Sequence, residues 1–190
     1  MQAWVKAQGE PSGDFEQLLQ KTYPSDYQER IKGKENEPFR VLESYDTGVS
    51  LTRFSWSTHT DSLASLRPKI SRVVKEKAIL TAFHFLWRPY DFGFETDSAL
   101  VCSELVAKSY ESSSELNGLT FPSASVMGRA VIAPNLLAQS FDESFGQKNA
   151  QFDFVLFYDA NEYEQESQKA SIDEFRESWK RPKWHILLNN

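Results

Sequence analysis

The chain contains a single cysteine, Cys102, within the segment DSALVCSELVAKSY at residues 97–110. A disulfide needs two cysteines, so no intramolecular disulfide can form and the fold must be stabilised by packing alone. The composition suits such packing, because 40% of the 190 residues are hydrophobic and 14% are aromatic. Disordered chains are poor in aromatic residues. The sequence therefore predicts one folded domain, which we expect to span residues 1–190.

The charge of the chain argues against several classes of partner. The formal net charge is −6 and the isoelectric point is near 5.2. Nucleic acids and anionic membranes favour basic surfaces, so neither is expected as a partner. No stretch approaches the ~18 apolar residues of a membrane span, and the first residues lack the apolar region of a secretory signal. We expect a cytoplasmic protein by default, with no membrane attachment.

Hydrophobic spacing and turn residues predict the order of the helices and strands. Helices are predicted over residues 14–23, 69–87, about 99–111 and 171–180, the last with Ser171 and Glu174 at capping-box spacing. Strands are predicted as a pair within 38–56, joined at the turn YDTG, and over 61–69 and 152–159. The segment 112–150 is rich in Ser, Gly and Asn and contains one short apolar stretch, AVIAPNLLAQSF. This order favours an α+β fold over a parallel α/β sheet.

The position of Cys102 alone leaves two interpretations open. On the predicted helix it shares a face with Leu105 and Val106, and a free cysteine on such a face usually fills space in a core. The alternative is a nucleophile, because Cys102 lies in the first turn of a helix capped by Asp97 or Ser98. Unpaired N–H groups and the helix dipole there favour a thiolate and can bind an oxyanion.

A wider pattern gives the chain a resemblance to a known family. VLESYDTGVSLTRFSW, LASLRPK, RPYDFGFETDSALVCSELVAKSY, IAPNLLAQSFDESF and FDFVLFYD follow one another in this order. The most specific piece is PYDFGF followed by CSEL, with Cys102 eight residues after Phe94. The chain resembles the circularly permuted papain-like cysteine hydrolases of the YiiX/YebB type, relatives of the NlpC-type peptidases and the lecithin:retinol acyltransferase group. The resemblance covers about residues 38–160, leaving 1–37 as a variable or truncated segment and 161–190 as a C-terminal helix and tail.

The resemblance implies a fold, a site and a class of reaction. The fold would be a small antiparallel sheet packed against helices, with the cysteine at a helix N-terminus. Cys102 would be the nucleophile and Glu43 would orient the activating histidine, while Tyr90, Asp91 and Ser103 would have supporting roles. The expected function is a cysteine hydrolase of the amidase, peptidase or thioesterase type. Its substrate would be a peptide, a peptidoglycan-like molecule or an acylated small molecule, with no cofactor and no metal.

The histidine that this site needs is not found where the resemblance puts it. The family places it on a strand ahead of Glu43, whereas the histidines of this chain are His59, His84 and His185. One alternative is that the base strand is cut off from this chain. Another is that MQAWVKAQ occupies it without an imidazole, which would leave a catalytically inactive binding module. A third, His59 as the base, is the least favoured, because the pattern puts that position outside the site. His84, between two phenylalanines on a helix, and His185, in the tail, are not expected to take part.

Overall fold

The computed structural model describes residues 2–28, 37–93, 98–111, 118–126, 129–161 and 166–181. The chain divides into two compact units. The first unit comprises residues 1–59 and 70–120, and the second comprises residues 60–69 and 121–190. The expectation of a single domain over residues 1–190 stays a prediction.

The first unit begins with three short helices: α1 (Gln2–Ala7), α2 (Phe15–Thr22) and α3 (Pro24–Asp26). Helix α2 was predicted, and it begins where the Asp14 carboxylate accepts hydrogen bonds from the first backbone N–H groups. Helix α1 was not predicted. It buries Val5 completely, and its Trp4 ring lies 6.2 Å from the ring of Phe15. The interpretation of MQAWVKAQ as a base strand without its imidazole is therefore wrong, because this segment is helical.

The predicted pair of strands forms the hairpin of β1 (Phe39–Tyr45) and β2 (Gly48–Arg53), followed by helix α4 (Phe54–Ser57). The register pairs Tyr45 with Gly48 and Glu43 with Ser50. Side chains alternate along a strand, so Leu42 and Ser44 lie on one face of the hairpin and Glu43 lies on the other. Gly48 has φ +97°, and a Cβ there would overlap the carbonyl oxygen of Arg88. The hairpin therefore needs glycine at this position.

Two longer helices complete the first unit: α5 (Arg72–His84) and α6 (Cys102–Ser109). Helix α5 confirms the prediction, and the Ser71 hydroxyl caps it by accepting a hydrogen bond from the Val74 N–H. Helix α6 begins later than predicted, at Cys102 rather than near Ala99, because the residues before it are buried in extended backbone. Its N-cap is Val101 and not Ser98, while Asp97 lies outside the described residues. The buried residues of this unit form two clusters: Leu19, Tyr27, Leu51 and Phe83; and Val49, Leu100 and Leu105.

The second unit contains a three-stranded antiparallel sheet in the order β3-β6-β7. Its elements are β3 (Leu63–Pro68), β4 (Ala124–Val126), β5 (Arg129–Val131), α7 (Pro134–Ser144), β6 (Phe152–Asn161), β7 (Glu166–Ala170) and α8 (Ile172–Ser178). Helices α7 and α8 pack on the sheet through a cluster of Ala138, Phe141, Phe157 and Phe175. The capping box of Ser171 and Glu174 is present at the start of α8. Strands β4, β5 and β7 and helix α7 were not predicted.

Small antiparallel sheets and helices together make the fold α+β, as the sequence predicted. Among the described residues, no helix combines the length and the apolar character needed to cross a bilayer.

Candidate active site

Cys102 is the first residue of α6, and it is exposed to solvent. The side chain of Val101, the N-cap residue, has no polar atom that could accept a hydrogen bond from the helix. Only the reverse contact is present, in which the Val101 N–H donates to Glu104 Oε2 at 3.2 Å. Among the described residues, no acceptor is found for the N–H groups of Cys102, Ser103 and Glu104. The thiol therefore lies beside three available donors at the positive end of the helix dipole.

The segment before Cys102 is held from two sides. The Ser44 hydroxyl on β1 donates to the carbonyl oxygen of Leu100 at 2.6 Å, and the Leu100 N–H donates to the Pro89 carbonyl oxygen at 3.0 Å. The Leu100 side chain is fully buried and packs with Val49 and Leu105. Because Leu100 is fixed, the start of α6 two residues later is fixed relative to the hairpin.

Tyr90 lies near Cys102, and its supporting role stays a prediction. Burial raises the pKa of Tyr90 above its usual value, and electrostatic interactions with Cys102 and Glu104 raise it further. The phenol therefore stays protonated at neutral pH and can donate a hydrogen bond beside the thiol. The ring of Tyr90 lies 4.8 Å from that of Phe92, which is exposed.

The other two supporting residues lie next to these groups in the chain. Asp91 follows Tyr90 and is only 6% exposed. Ser103 follows Cys102, is partly buried and supplies one of the three available N–H groups of α6. Asp91 and Ser103 therefore accompany Tyr90 and Cys102 through the chain, and their supporting roles stay predictions.

Glu43 is held in a different set of contacts. Its Oε1 atom accepts hydrogen bonds from Thr52 Oγ1 at 2.6 Å and from Ser57 Oγ at 2.9 Å, and the two hydroxyls lie 2.8 Å apart. The Oε2 atom accepts no hydrogen bond from the described residues. Ser44, the next residue, contacts Leu100 on the opposite face of the hairpin. Within the part of the chain described, no hydrogen bond joins Glu43 to Cys102, as is expected when an imidazole would lie between them, and the pairing of these two residues stays a prediction.

Among the described residues, no hydrogen bond joins His59 or His84 to Cys102. His59 is exposed and lines a cavity of about 400 Å³ with Thr52 and Trp56, on the Glu43 side of the hairpin. His84 is the last residue of α5, and its ring meets that of Tyr23 edge-on at 5.9 Å. His185 lies outside the described residues. In the described ranges no base is placed beside Cys102.

Ser44 and Glu104 position the start of α6, and the sequence analysis missed both roles. A signal for Ser44 exists, since it is a polar residue on the face of β1 that also carries Leu42. Glu104 stands three residues after the helix N-cap, which is the spacing of the acidic member of a capping box. Within the described residues, no three His, Cys, Asp or Glu side chains form a group that could hold a metal ion.

Comparison with known proteins gives a match at the level of the family. No curated protein and no solved structure matches the chain. The sequence model of the permuted papain-like amidase enzymes, YaeF/YiiX, C92 family, matches residues 30–173. The match includes the hairpin, the start of α6 and the sheet of the second unit, and it confirms the resemblance and the fold class. This chain belongs to the family of permuted papain-like amidases of the YaeF/YiiX type.

Proposed function

We propose that this chain is a cysteine amidase that uses Cys102 as its nucleophile. The observation that carries the proposal is the exposed thiol on the first residue of α6, beside three N–H groups that lack an acceptor among the described residues. A buried structural cysteine would have neither property. Membership of an amidase family supports the amide as the bond attacked.

The proposed reaction follows from these groups. The Cys102 thiolate attacks the amide carbonyl carbon, a C–S bond forms, and the carbonyl oxygen becomes an oxyanion that accepts hydrogen bonds from the α6 N–H groups. The C–N bond then breaks, and the amine leaves with a proton from the base. Water hydrolyses the thioester, which releases the acid and restores the thiol. The protonated phenol of Tyr90 supplies a further donor near the reacting carbonyl.

Glu43 is proposed to orient the imidazole that acts as the base. Two hydroxyls fix its Oε1 atom, which leaves Oε2 as an acceptor for an imidazole N–H. Among the described residues, β1 pairs only with β2, so the other edge of β1 can accept a further strand that carries the histidine. Side chains alternate between the two faces of a strand. The imidazole must therefore contact Glu43 on one face of the hairpin and reach Cys102 around the edge of the hairpin.

Hydrolysis assays with added imidazole test the proposal. The substrates are peptide, cell-wall-type and N-acyl p-nitroanilides, compared for wild type, Cys102→Ala and Cys102→Ser, with circular dichroism to show that each variant is folded. We expect both substitutions to reduce turnover at least about 10³-fold. We expect imidazole in the buffer to raise the wild-type rate and to leave both variants unchanged, because it replaces the base. Equal rates for wild type and Cys102→Ala would overturn the proposal.

A second candidate is a binding module that has no turnover. The observation that favours it is the placement of Glu43 and His59 on the side of the hairpin away from Ser44, which contacts the Cys102 segment. A reactive thioester separates the two candidates, because a nucleophilic Cys102 without a base still forms an acyl-enzyme. A mass increase equal to the acyl group, absent from Cys102→Ala, indicates the hydrolase. Reversible binding without this adduct indicates the binding module.

A further inference from the structure

The first unit contains an apolar cavity of about 400 Å³ between α2, α5, α6 and the hairpin. Its walls are chiefly aliphatic and aromatic, and they include Leu19, Leu42, Leu51, Ile79, Phe83 and Leu105. Small-molecule pockets enclose roughly 300–1,000 Å³ and combine apolar walls with a few polar groups. The volume and the walls of this cavity therefore suit an apolar chain.

Three of the polar residues that line the cavity are already engaged. The Tyr27 hydroxyl donates a hydrogen bond to Glu16 Oε1. Burial, together with this hydrogen bond to Glu16, raises the pKa of Tyr27 to about 12, so the phenol stays neutral. The Ser109 hydroxyl donates to the carbonyl oxygen of Leu105 at 2.6 Å, within its own helix. The Tyr27 and Ser109 hydroxyls therefore have hydrogen-bonding partners in the protein, and Glu16 adds one negative charge to the lining.

Arg40 and Tyr110 are the remaining polar side chains of the lining. Arg40 is exposed, and no ion pair or hydrogen bond engages its guanidinium among the described residues. Burial raises the pKa of Tyr110, so its phenol remains a hydrogen-bond donor at neutral and mildly alkaline pH. The cavity therefore combines a positive fork of donors with a second, neutral donor.

We infer that this cavity binds a single-chain carboxylate, with the alkyl chain against the apolar walls and the carboxylate on Arg40 and Tyr110. A guanidinium matches a carboxylate in charge and in geometry, because both can share two parallel hydrogen bonds. Glu16 also lines the cavity, but its Oε1 atom already accepts a hydrogen bond from Tyr27, whereas the Arg40 guanidinium has no ion pair or hydrogen bond among the described residues, so a carboxylate is the head group that this arginine favours. Cys102 is absent from the lining, and the first α6 residues that reach it are Leu105 and Val106. The binding site is thus separate from the thiol and does not depend on the proposed amidase activity.

Calorimetric titration of the full chain tests this inference with three probes of equal length: dodecanoate, dodecanol and dodecylamine, each below its micellar concentration. We expect dodecanoate to bind with one-to-one stoichiometry and at least about 10-fold more tightly than dodecylamine, since a charged hydrogen bond contributes about 1.5–3 kcal/mol. Arg40→Gln should weaken dodecanoate about 10-fold and leave dodecanol unchanged. Arg67 is an exposed arginine on β3 of the second unit, so Arg67→Gln is the matched control. It should change the affinity for neither dodecanoate nor dodecanol.

Two further variants test where the alkyl chain of the ligand binds and whether this binding is independent of the proposed catalysis. Val106 is 43% exposed where it lines the cavity, so Val106→Trp should fold and should weaken dodecanoate and dodecanol together. Cys102→Ala should bind dodecanoate as wild type does. Equal binding of dodecanoate and dodecylamine, no effect of Arg40→Gln, or no binding of any probe would each overturn the inference, whatever the amidase assays show.

Discussion

The hydroxyl of Ser44 lies 2.6 Å from the carbonyl oxygen of Leu100, and both residues are buried. This contact joins two segments that are 56 residues apart in the sequence and fixes the chain two residues before Cys102. The start of α6 and the β1–β2 hairpin therefore form one rigid support for the thiol.

Ser44→Ala tests this support. The substitution leaves the buried Leu100 carbonyl without its hydrogen bond, so we expect the free energy of unfolding to fall by about 1–3 kcal/mol in a urea titration. Ser109→Ala is the control, because that hydroxyl returns to a carbonyl of its own helix and its loss should cost less than about 0.5 kcal/mol. Equal costs for the two variants would contradict the special role of Ser44.

Gly48→Ala should be among the most destabilising single changes in the hairpin. Its positive φ and the overlap of a Cβ with the Arg88 carbonyl oxygen both oppose a side chain, so we expect a loss of about 3 kcal/mol or more. Gly9→Ala is a matched control, since Gly9 has φ +89° with no atom within 4 Å of a Cβ. It should cost only the backbone strain, about 1–2 kcal/mol. Similar losses in urea titrations would show that the contact with Arg88 is unimportant.

Glu43→Gln tests the proposed orienting role. The carboxamide oxygen can still accept from Thr52 and Ser57, so we expect the free energy of unfolding to change by less than about 1 kcal/mol. With imidazole added as the base, turnover of the N-acyl p-nitroanilides should fall about 100-fold or more with KM unchanged, because an amide cannot stabilise the charged imidazole. Glu37→Gln is the control, since Glu37 contacts Ser55 and has no hydrogen bond to the Glu43 group. Unchanged turnover in Glu43→Gln would restrict this residue to a structural role.

Tyr27 gives the stability of the chain a dependence on alkaline pH. Its pKa is about 12 in the folded protein, above the value near 10 of an exposed tyrosine, so the folded state retains the proton more strongly than the unfolded state. The stabilisation is complete below about pH 10 and is lost as the pH rises towards about 12. The difference in unfolding free energy between wild type and Tyr27→Phe should therefore decrease over this interval in urea titrations. A constant difference would contradict the pKa assignment.

Hydrophobic spacing predicted helices α2 and α5, while a turn signal predicted the hairpin and a capping-box signal predicted the start of α8; two of the caps were found only in the structure. Asp14, Ser71 and Ser171 mark the starts of α2, α5 and α8, and the turn at YDTG joins β1 to β2. Strands β4 and β5 are three residues each, too short to show a period. Helix α7 begins at Pro134 within the Ser-, Gly- and Asn-rich segment 112–150, where no helix was predicted, although proline is well tolerated in the first turn of a helix.

The site was predicted less completely than the fold, for reasons of long-range packing. The sequence proposed Cys102 and Tyr90 as site residues; the structure places these two residues near each other, and their roles stay predictions. The start of α6 was misplaced because Leu100 is held by hydrogen bonds to Ser44 and Pro89 and Val101 has extended backbone, and neither contact has a local signal. The direction of Glu43 follows from the face of β1 that packs on Leu100, which the pattern of the strand alone left undecided.

The contacts that hold Leu100 also determine how often the segment before Cys102 unfolds locally. Its amide donates to Pro89, its side chain is fully buried, and its carbonyl is covered by Ser44. Local opening therefore does not expose the Leu100 amide to solvent. Hydrogen–deuterium exchange at this amide requires the cooperative unfolding of the surrounding structure. The thiol is thus attached to one of the slowest-exchanging positions expected in the first unit, although the thiol itself is open to solvent.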